Sequence, residues 1–186
     1  DQGYGEPFVD VSLLPEETLK FLLPSRYCES DRFGQTALRI SAGCSAGYDQ
    51  VASIVRWIKE NVQYLPGTSG LPQAATEIQS EGRGVCKDLA HLGIAMSRSI
   101  SIPARMVVGY LVGLVPMDLH AWFEVYVGRR WYTFDPTQDD LSGARVAIAY
   151  GSDAADVSIY HQFGPPARHT DMIVQVKAMA DPVMPG

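Results

Sequence analysis

One cysteine of this sequence stands where a nucleophile would be expected, at the start of a predicted helix. Cys86 follows the glycine-rich turn 82–84 and opens an apolar stretch that runs to Ser99. Backbone N–H groups at a helix start lack partners within the helix, and the helix dipole adds partial positive charge there. Both effects favour the thiolate, which is the nucleophilic form of cysteine. Cys86 is therefore a candidate nucleophile, with a buried structural thiol as the alternative.

A thiolate nucleophile needs a base and a group that orients the base. His120 begins one predicted strand and Asp135 ends the next, and the dipeptide Gly128-Arg129 between them predicts a two-residue turn. In that register Trp122 lies opposite Asp135, so Asp135 is diagonal to His120 on the same face of the hairpin. A slip of one residue would move Asp135 to the other face. The spacing therefore predicts that the His120 and Asp135 side chains can touch.

The apolar spacing predicts the elements that position these residues, with helices early in the chain and strands later. Residues 1–14 are expected to form an extended arm. Helices are predicted at 15–22, 30–40, 48–62, 75–79 and 86–99, and strands at 104–112, 120–127, 130–135, 145–149 and 172–178. The stretch 86–99 is apolar on nearly every side, which is typical of a central, buried helix. Helices followed by strands favour an α+β fold over alternating βαβ units.

Composition and charge limit the classes of function. The chain has 186 residues, of which 46% are hydrophobic, so it can bury its own core without a disulfide or metal. No apolar run approaches the ~18 residues of a membrane span. The net charge of −6 argues against nucleic acid or an anionic membrane as the main partner. Three cysteines cannot all pair within the chain and no signal peptide is recognisable, so we expect a reducing, cytoplasmic location.

Four ordered motifs resemble those of the transglutaminase-like superfamily, a branch of the papain-fold thiol enzymes. They are Gly84-Val85-Cys86-Lys87-Asp88-Leu89-Ala90-His91, Ile102-Pro103-Ala104-Arg105 with Gly109-Tyr110, His120-Ala121-Trp122, and Trp131-Tyr132-Thr133-Phe134-Asp135-Pro136-Thr137. The resemblance implies that Cys86 is the nucleophile, His120 the base and Asp135 the group that orients the base. It further implies a bacterial type of cysteine protease that acts on amide bonds of a peptide or protein substrate.

The predicted architecture is one transglutaminase-like domain over residues 1–186. Its parts are an N-terminal arm and short helix (1–22), a catalytic core (23–137), and C-terminal strands and tail (138–186). In this papain-like α+β core, the helix carrying Cys86 packs on an antiparallel sheet carrying His120 and Asp135. No metal or other cofactor is expected. The predicted activity is acyl transfer at an amide through a Cys86 thioester, with hydrolysis favoured over transfer to an amine because water is the default acceptor.

Four further residues have secondary roles in this prediction. Tyr64 resembles the aromatic donor upstream of the nucleophile in animal transglutaminases, and its O–H could donate to an oxyanion. A core aromatic at a helix end is the alternative for Tyr64. Asp88 and Arg105 are expected to form a partly buried ion pair beneath the site, although Asp88 could instead orient the base. Trp122 shares the strand face of His120 and is expected to be a structural neighbour of it.

A non-catalytic role is an alternative to the enzyme. Transglutaminase-like domains can serve as protein-interaction scaffolds after losing the triad. This chain keeps Cys, His and Asp, so a scaffold would need another defect, such as an occluded cleft. A metal site made of Cys86, His91 and His120 is disfavoured, because the chain lacks the paired ligand spacing of such sites.

A serine hydrolase is a lesser alternative. Gly43-Cys44-Ser45-Ala46-Gly47 matches the G-x-S-x-G nucleophile elbow, and 37–41 before it could be a strand. Ser45, Asp135 and either His161 or His169 would then follow the chain order of such enzymes. No parallel β-α repeats surround the motif, and a helix-start loop with Ser45 as a capping residue also explains it.

Overall fold

The chain folds into helices followed by strands, in a computed structural model that describes residues 3–66, 71–139, 143–158 and 174–177. The helices are α1 (Glu16–Leu19), α2 (Gly34–Ile40), α3 (Tyr48–Asn61), α4 (Ala75–Glu81) and α5 (Cys86–Ser99). The strands are β1 (Gln63–Tyr64), β2 (Arg83–Gly84), β3 (Ala104–Leu111), β4 (His120–Val127), β5 (Arg130–Phe134) and β6 (Arg145–Gly151). Short 3₁₀ helices occur at Val11–Leu13, Lys20–Leu22 and Ser30–Arg32. The predicted α+β class is confirmed.

The layer that carries the hairpin is an antiparallel sheet, with the described strands in the order β5-β4-β3-β6. Helix α5 packs against β3 and β4, and every residue from Lys87 to Arg98 is buried. Gly93 allows the close approach of the two layers, because a Cβ there would lie 2.5 Å from the Phe123 ring. The central, buried helix predicted at 86–99 is therefore present, and Cys86 is its first residue.

The β4–β5 hairpin has the register predicted from its turn. Val127 pairs with Arg130, and the pairing continues in step to the end of β5. Both residues of the turn Gly128-Arg129 have positive φ, 55° and 68°, which matches a type I′ turn and the right-handed twist of the strands. His120 and Asp135 therefore project from the same face of the hairpin.

The hydrophobic core lies between α3, α5 and the inner face of the sheet. The stripe predicted on α3 is buried at Val51, Ile54 and Ile58. The sheet contributes a set of buried apolar side chains that includes Met106, Val108, Phe123, Val125 and Phe134. Removing each of these side chains from water stabilises the fold by about 1.5–3 kcal/mol, so the core fixes α5 and the hairpin relative to one another.

The N-terminal arm crosses the start of α3 and the tip of the hairpin. The N–H of Gly128 donates to the carbonyl of Pro7 at 2.9 Å. Where the arm crosses the chain, Gly47 has a φ of 116°, and a Cβ there would overlap the carbonyl oxygen of Glu6. Only glycine accommodates both the dihedral angle and the close approach.

The structure departs from the sequence predictions in three elements. The helix predicted at 30–40 is interrupted: a 3₁₀ turn ends at Arg32, and α2 begins at Gly34. The parallel pair β1–β2 was not predicted. Of the strand predicted at 172–178, residues 174–177 have no regular structure, and the rest lies outside the described residues. Within the described ranges, no helix is both long and apolar enough to cross a membrane.

Candidate active site

The central contact of the site joins His120 to Asp135. Nε2–H of His120 donates to Oδ2 of Asp135 at 2.8 Å, across the β4–β5 hairpin. The two residues are 2% and 1% exposed, so water barely screens the interaction. The contact is the diagonal one that the turn register predicts.

The Asp135 carboxylate has further neighbours. Its Oδ1 accepts hydrogen bonds from the backbone N–H of Thr137 at 3.0 Å and from the Thr137 hydroxyl at 2.7 Å. Arg145 Nη2 lies 3.9 Å from the Asp135 Oδ2 atom. Burial raises the pKa of Asp135, but the hydrogen bonds and positive charge of His120 and the bonds from Thr137 outweigh it and lower the pKa below its usual value. Asp135 is therefore an anion at neutral pH.

The Cys86 side chain lies beside the same imidazole, close enough to contribute to the raised pKa of His120. Because Nε2 of His120 is engaged by Asp135, Nδ1 is the ring nitrogen left for the thiol. Burial lowers the pKa of His120, but hydrogen bonds and charge interactions with Asp135 and Cys86 outweigh it and raise the pKa to about 9. The ring therefore holds both protons at neutral pH. An imidazolium beside a cysteine favours the thiolate.

Helix α5 presents Cys86 at its N-terminus. The carbonyl of Val85 accepts the N–H groups of Asp88 and Leu89, each at 3.0 Å, and so closes the first turn. The N–H of Cys86 is among the first four of the helix, which have no acceptor within it. Cys86 itself is half-buried. A backbone donor beside the sulfur is suited to an oxyanion formed at an attacked carbonyl.

Tyr64 lies beside this helix start. It pairs with Gly84 in the parallel β1–β2 ladder and packs, half-buried, against the core. Burial raises the pKa of Tyr64, and the nearby Cys86 and Asp135 raise it further. The hydroxyl therefore keeps its proton at neutral pH and can donate a hydrogen bond.

The predicted ion pair between Asp88 and Arg105 is wrong. The Asp88 carboxylate instead accepts the backbone N–H groups of Gln73 and Val85, each at 3.1 Å. Arg105 pairs with Glu124 of the neighbouring strand, at 2.9 Å from Nε and 2.7 Å from Nη2. A short acidic side chain in the first turn of a helix is well placed to accept backbone N–H groups, and Asp88 does so. Asp88 thereby holds the 71–74 segment against the start of α5.

Trp122 lies beside His120, as expected. Their ring centroids are 6.2 Å apart with an interplanar angle of 27°. Trp122 is 1% exposed, and its indole Nε1–H has no hydrogen-bond partner within the described part of the chain. The indole excludes water from one side of the imidazole.

Neither the metal alternative nor the serine alternative has the geometry that it requires. Both ring nitrogens of His91 are engaged, Nδ1 with the Gln73 carbonyl at 3.0 Å and Nε2 with the Ala154 N–H at 3.1 Å. No group of three or more His, Cys, Asp or Glu in the described ranges is arranged to hold a metal ion.

The segment before Ser45 belongs to helix α2, so the strand that a nucleophile elbow requires is absent there. Ser45 is exposed, and the residue that caps α3 is Gly47 rather than Ser45. His161 and His169 lie outside the described residues. The Ser45 constellation therefore lacks its structural context.

Sequence reasoning did not assign site roles to Thr137 and Arg145. The register that sets Trp122 opposite Asp135 also sets Thr137 opposite His120, and that signal could have identified Thr137. Arg145 begins β6, and the pairing of β6 with β3 brings Arg145 near Asp135. Such a long-range contact leaves no local pattern in the sequence.

Comparison with known proteins agrees with this fold and these motifs. The sequence profile of the transglutaminase-like superfamily matches residues 34–136. An uncharacterized protein of Mycobacterium leprae is 34% identical over 143 residues, which cover 70% of this chain and 50% of that protein. The chain therefore spans about half the length of this curated relative.

Solved structures give the same result. A candidate cysteine protease from Cytophaga hutchinsonii superposes with a TM-score of 0.77 at 42% identity, covering 82% of this chain and 53% of that one. The periplasmic domain of TgpA from Pseudomonas aeruginosa shares the fold, with a TM-score of 0.51 at 22% identity over 68% of this chain and 49% of that one. With more than half of its length matched by the family profile, the chain belongs to the transglutaminase-like superfamily.

Proposed function

We propose that this protein catalyses acyl transfer at an amide bond through a thioester on Cys86. His120 acts as the base and acid, and Asp135 orients the imidazole and keeps it charged. The observation that carries the proposal is the His120 imidazole, which bonds to Asp135 at 2.8 Å and has the Cys86 side chain beside it, where Cys86 contributes to the raised pKa of His120. This is the nucleophile–base–orienter arrangement of thiol enzymes.

The reaction has two steps. The Cys86 thiolate attacks the carbonyl carbon of the amide, and collapse of the adduct breaks the C–N bond while the amine takes a proton from the His120 imidazolium. Water then attacks the thioester, giving a proton to the neutral His120 and releasing the carboxylic acid and the Cys86 thiolate. His120 thus returns to its starting state.

Two donors are available for the oxyanion of each adduct. The first is the N–H of Cys86 at the start of α5, where the helix leaves it without an internal acceptor. The second is the Tyr64 hydroxyl, because burial and its anionic neighbours keep this group protonated. Preorganised donors of this kind contribute about 2.7–4 kcal/mol each to transition-state stabilisation.

We favour hydrolysis of a peptide or protein amide over transfer to an amine. The relative from Cytophaga hutchinsonii, at 42% identity, is described as a candidate cysteine protease. Water is also present at high concentration wherever the site is open, so it is the default acceptor of the thioester.

Selective labelling tests the proposal. Iodoacetamide at neutral pH should modify Cys86 well before Cys44, which is also half-buried, and Cys28, whose burial raises its pKa to about 12. A mixed peptide-amide library should then leave an acyl adduct on Cys86, detectable by mass spectrometry.

Equal labelling of the three cysteines would contradict the proposal. A fast Cys86 without any acyl adduct would favour the scaffold, and a fluorophosphonate adduct on Ser45 would favour the serine hydrolase.

A further inference from the structure

A second cation, Arg145, lies beside the Asp135 carboxylate that His120 contacts. Arg145 Nη2 is 3.9 Å from Oδ2 of Asp135, the same oxygen that accepts the bond from His120. The Arg145 side chain is only 10% exposed, and its Nη1 donates to the Gly143 carbonyl at 2.9 Å. The guanidinium is therefore held beside the carboxylate, in a place where water screens charge weakly.

The sheet fixes this position. Arg145 opens β6 opposite Leu111, while Gly109 of β3 pairs with His120 on one side and with Ala147 on the other. A Cβ at residue 109 would overlap the carbonyl oxygen of Val146, so glycine lets β6 approach closely at this point. Strand β3 thus brings the first residues of β4 and β6 to the same end of the sheet.

We propose that Arg145 is a positioning residue for the reaction. Its positive charge keeps Asp135 ionised and makes His120, in its pair with Asp135, bind less tightly the proton that it must donate. The inference rests on the proposed function. With Arg145 present, the carboxylate is shared between two cations, and the imidazolium gives up its proton to the leaving amine more readily. Without Arg145, the carboxylate loses the competing cation, and His120 holds its proton more tightly.

Other charged groups near Asp135 are arranged differently. Cys86 of α5 and Tyr64 of β1 approach from the side of the nucleophile. A pocket of about 230 Å³ borders Asp135 on the side of α3 and is lined by Arg56, Lys59 and Asp139 among others.

Lys59 donates to the Gln138 carbonyl and lies 3.5 Å from Asp139, so its charge is paired with Asp139. Among the described residues, the ion pairs of Asp135 are those with His120 and Arg145. Arg145 is therefore the cation best placed to act on the pair.

Titration of His120 by NMR of histidine-labelled protein tests the proposal independently of turnover. In Arg145→Gln the midpoint should rise by about one pH unit, because a neighbouring positive charge that opposed the imidazolium is gone. Arg145→Lys should stay near wild type, since it keeps the charge. Arg105→Gln is the matched control: it removes a half-buried arginine of the same sheet that pairs with Glu124 instead. This control should leave the midpoint unchanged.

An unchanged midpoint in Arg145→Gln, or an equal shift in Arg105→Gln, would overturn the proposal. Arg145→Met, which keeps much of the stem, replaces the glutamine variant if that variant does not fold. Failure of both neutral variants to fold, with a folded Arg145→Lys, would give Arg145 a structural role and also overturn it. The proposed function is judged separately, by the labelling of wild-type Cys86, so the two can fail independently.

Discussion

Two buried histidines of this chain differ in their charge. His91, in the middle of α5, is fully buried, and His120, at the start of β4, is 2% exposed. Burial lowers the pKa of His91 and outweighs the opposing effects of its hydrogen bond to the Gln73 carbonyl and of the charge of Asp153. The pKa of His120 is raised to about 9 against the same effect of burial. Desolvation alone therefore does not decide the charge of a buried imidazole.

The hydrogen-bond partners of each imidazole decide whether it is charged. The Nδ1 atom of His91 donates to the Gln73 carbonyl, and its Nε2 atom accepts the Ala154 N–H. One donor and one acceptor fit only the neutral ring. His120 meets a carboxylate and a thiol group, which both stabilise the doubly protonated ring when ionised. A histidine held by backbone groups is structural, whereas a histidine held by ionisable side chains can exchange its proton.

The largest expected effect comes from His120→Asn. Without the imidazole, Cys86 has lost the neighbouring base and cation that activate it, and its alkylation at pH 6 should slow by on the order of 10²-fold. Rates with iodoacetamide between pH 5 and 9, corrected for folded fraction, measure this. His91→Asn is the matched control and should keep the wild-type profile per folded molecule. Similar losses in both variants would erase the distinction between the two histidines.

The next effect is on stability in alkali. Because the pKa of His120 rises from 6.5 to about 9 on folding, its contribution to stability is complete below pH 6.5 and is lost as the pH passes through about 9. The contribution is on the order of 3 kcal/mol, since one pKa unit corresponds to about 1.4 kcal/mol. Asp135→Asn removes the main partner, so its free energy of unfolding should fall less between pH 6 and 9.5 than that of wild type. Parallel curves from urea titrations would contradict this assignment.

His91 should act at the other end of the pH scale. Its pKa is lowered on folding, so the unfolded chain binds more protons and stability falls as the pH drops below 6.5. His91→Asn should cost about 1–3 kcal/mol at pH 7, because the Ala154 N–H loses its acceptor. Its further loss between pH 7 and 5 should be smaller than in wild type. Thermal melts over this range provide the measurement. A loss of stability between pH 7 and 5 as large as that of wild type would contradict the prediction.

The smallest effect is expected at Asp88. In Asp88→Asn one of the Gln73 and Val85 N–H groups keeps an acceptor oxygen and the other faces the amide NH2, because the two groups bond to different oxygens of the carboxylate. We expect a loss of about 1 kcal/mol in the free energy of unfolding, and a larger loss in Asp88→Ala. Equal losses in the two variants would mean that the amide does not replace the carboxylate at either donor.

Local patterns predicted the elements that carry the site. The limits of α5 and β4 follow from apolar periodicity, and the hairpin register follows from the turn at Gly128-Arg129. These signals operate within about ten residues of chain, so no knowledge of the tertiary fold is needed.

Contacts between distant segments were not predictable in this way. Asp88 and Arg105 lie in neighbouring motifs, yet each finds its partner through the packing of other elements, and the predicted pair does not form. The parallel β1–β2 ladder is two residues long and has no periodicity to detect. Two strands, β4 and β3, lie between β5, which leads to Asp135, and β6, which begins with Arg145, and the sequence does not specify this order.

The fit of Gly93 under the Phe123 ring has a consequence for the chemistry two turns away. Cys86 belongs to the helical layer and His120 to the sheet, so the gap between nucleophile and base is an interlayer spacing. A methyl group at residue 93 would meet the ring at 2.5 Å and push the layers apart. The size of the side chain at residue 93 therefore affects the reactivity of Cys86, although this residue contacts none of the reacting atoms.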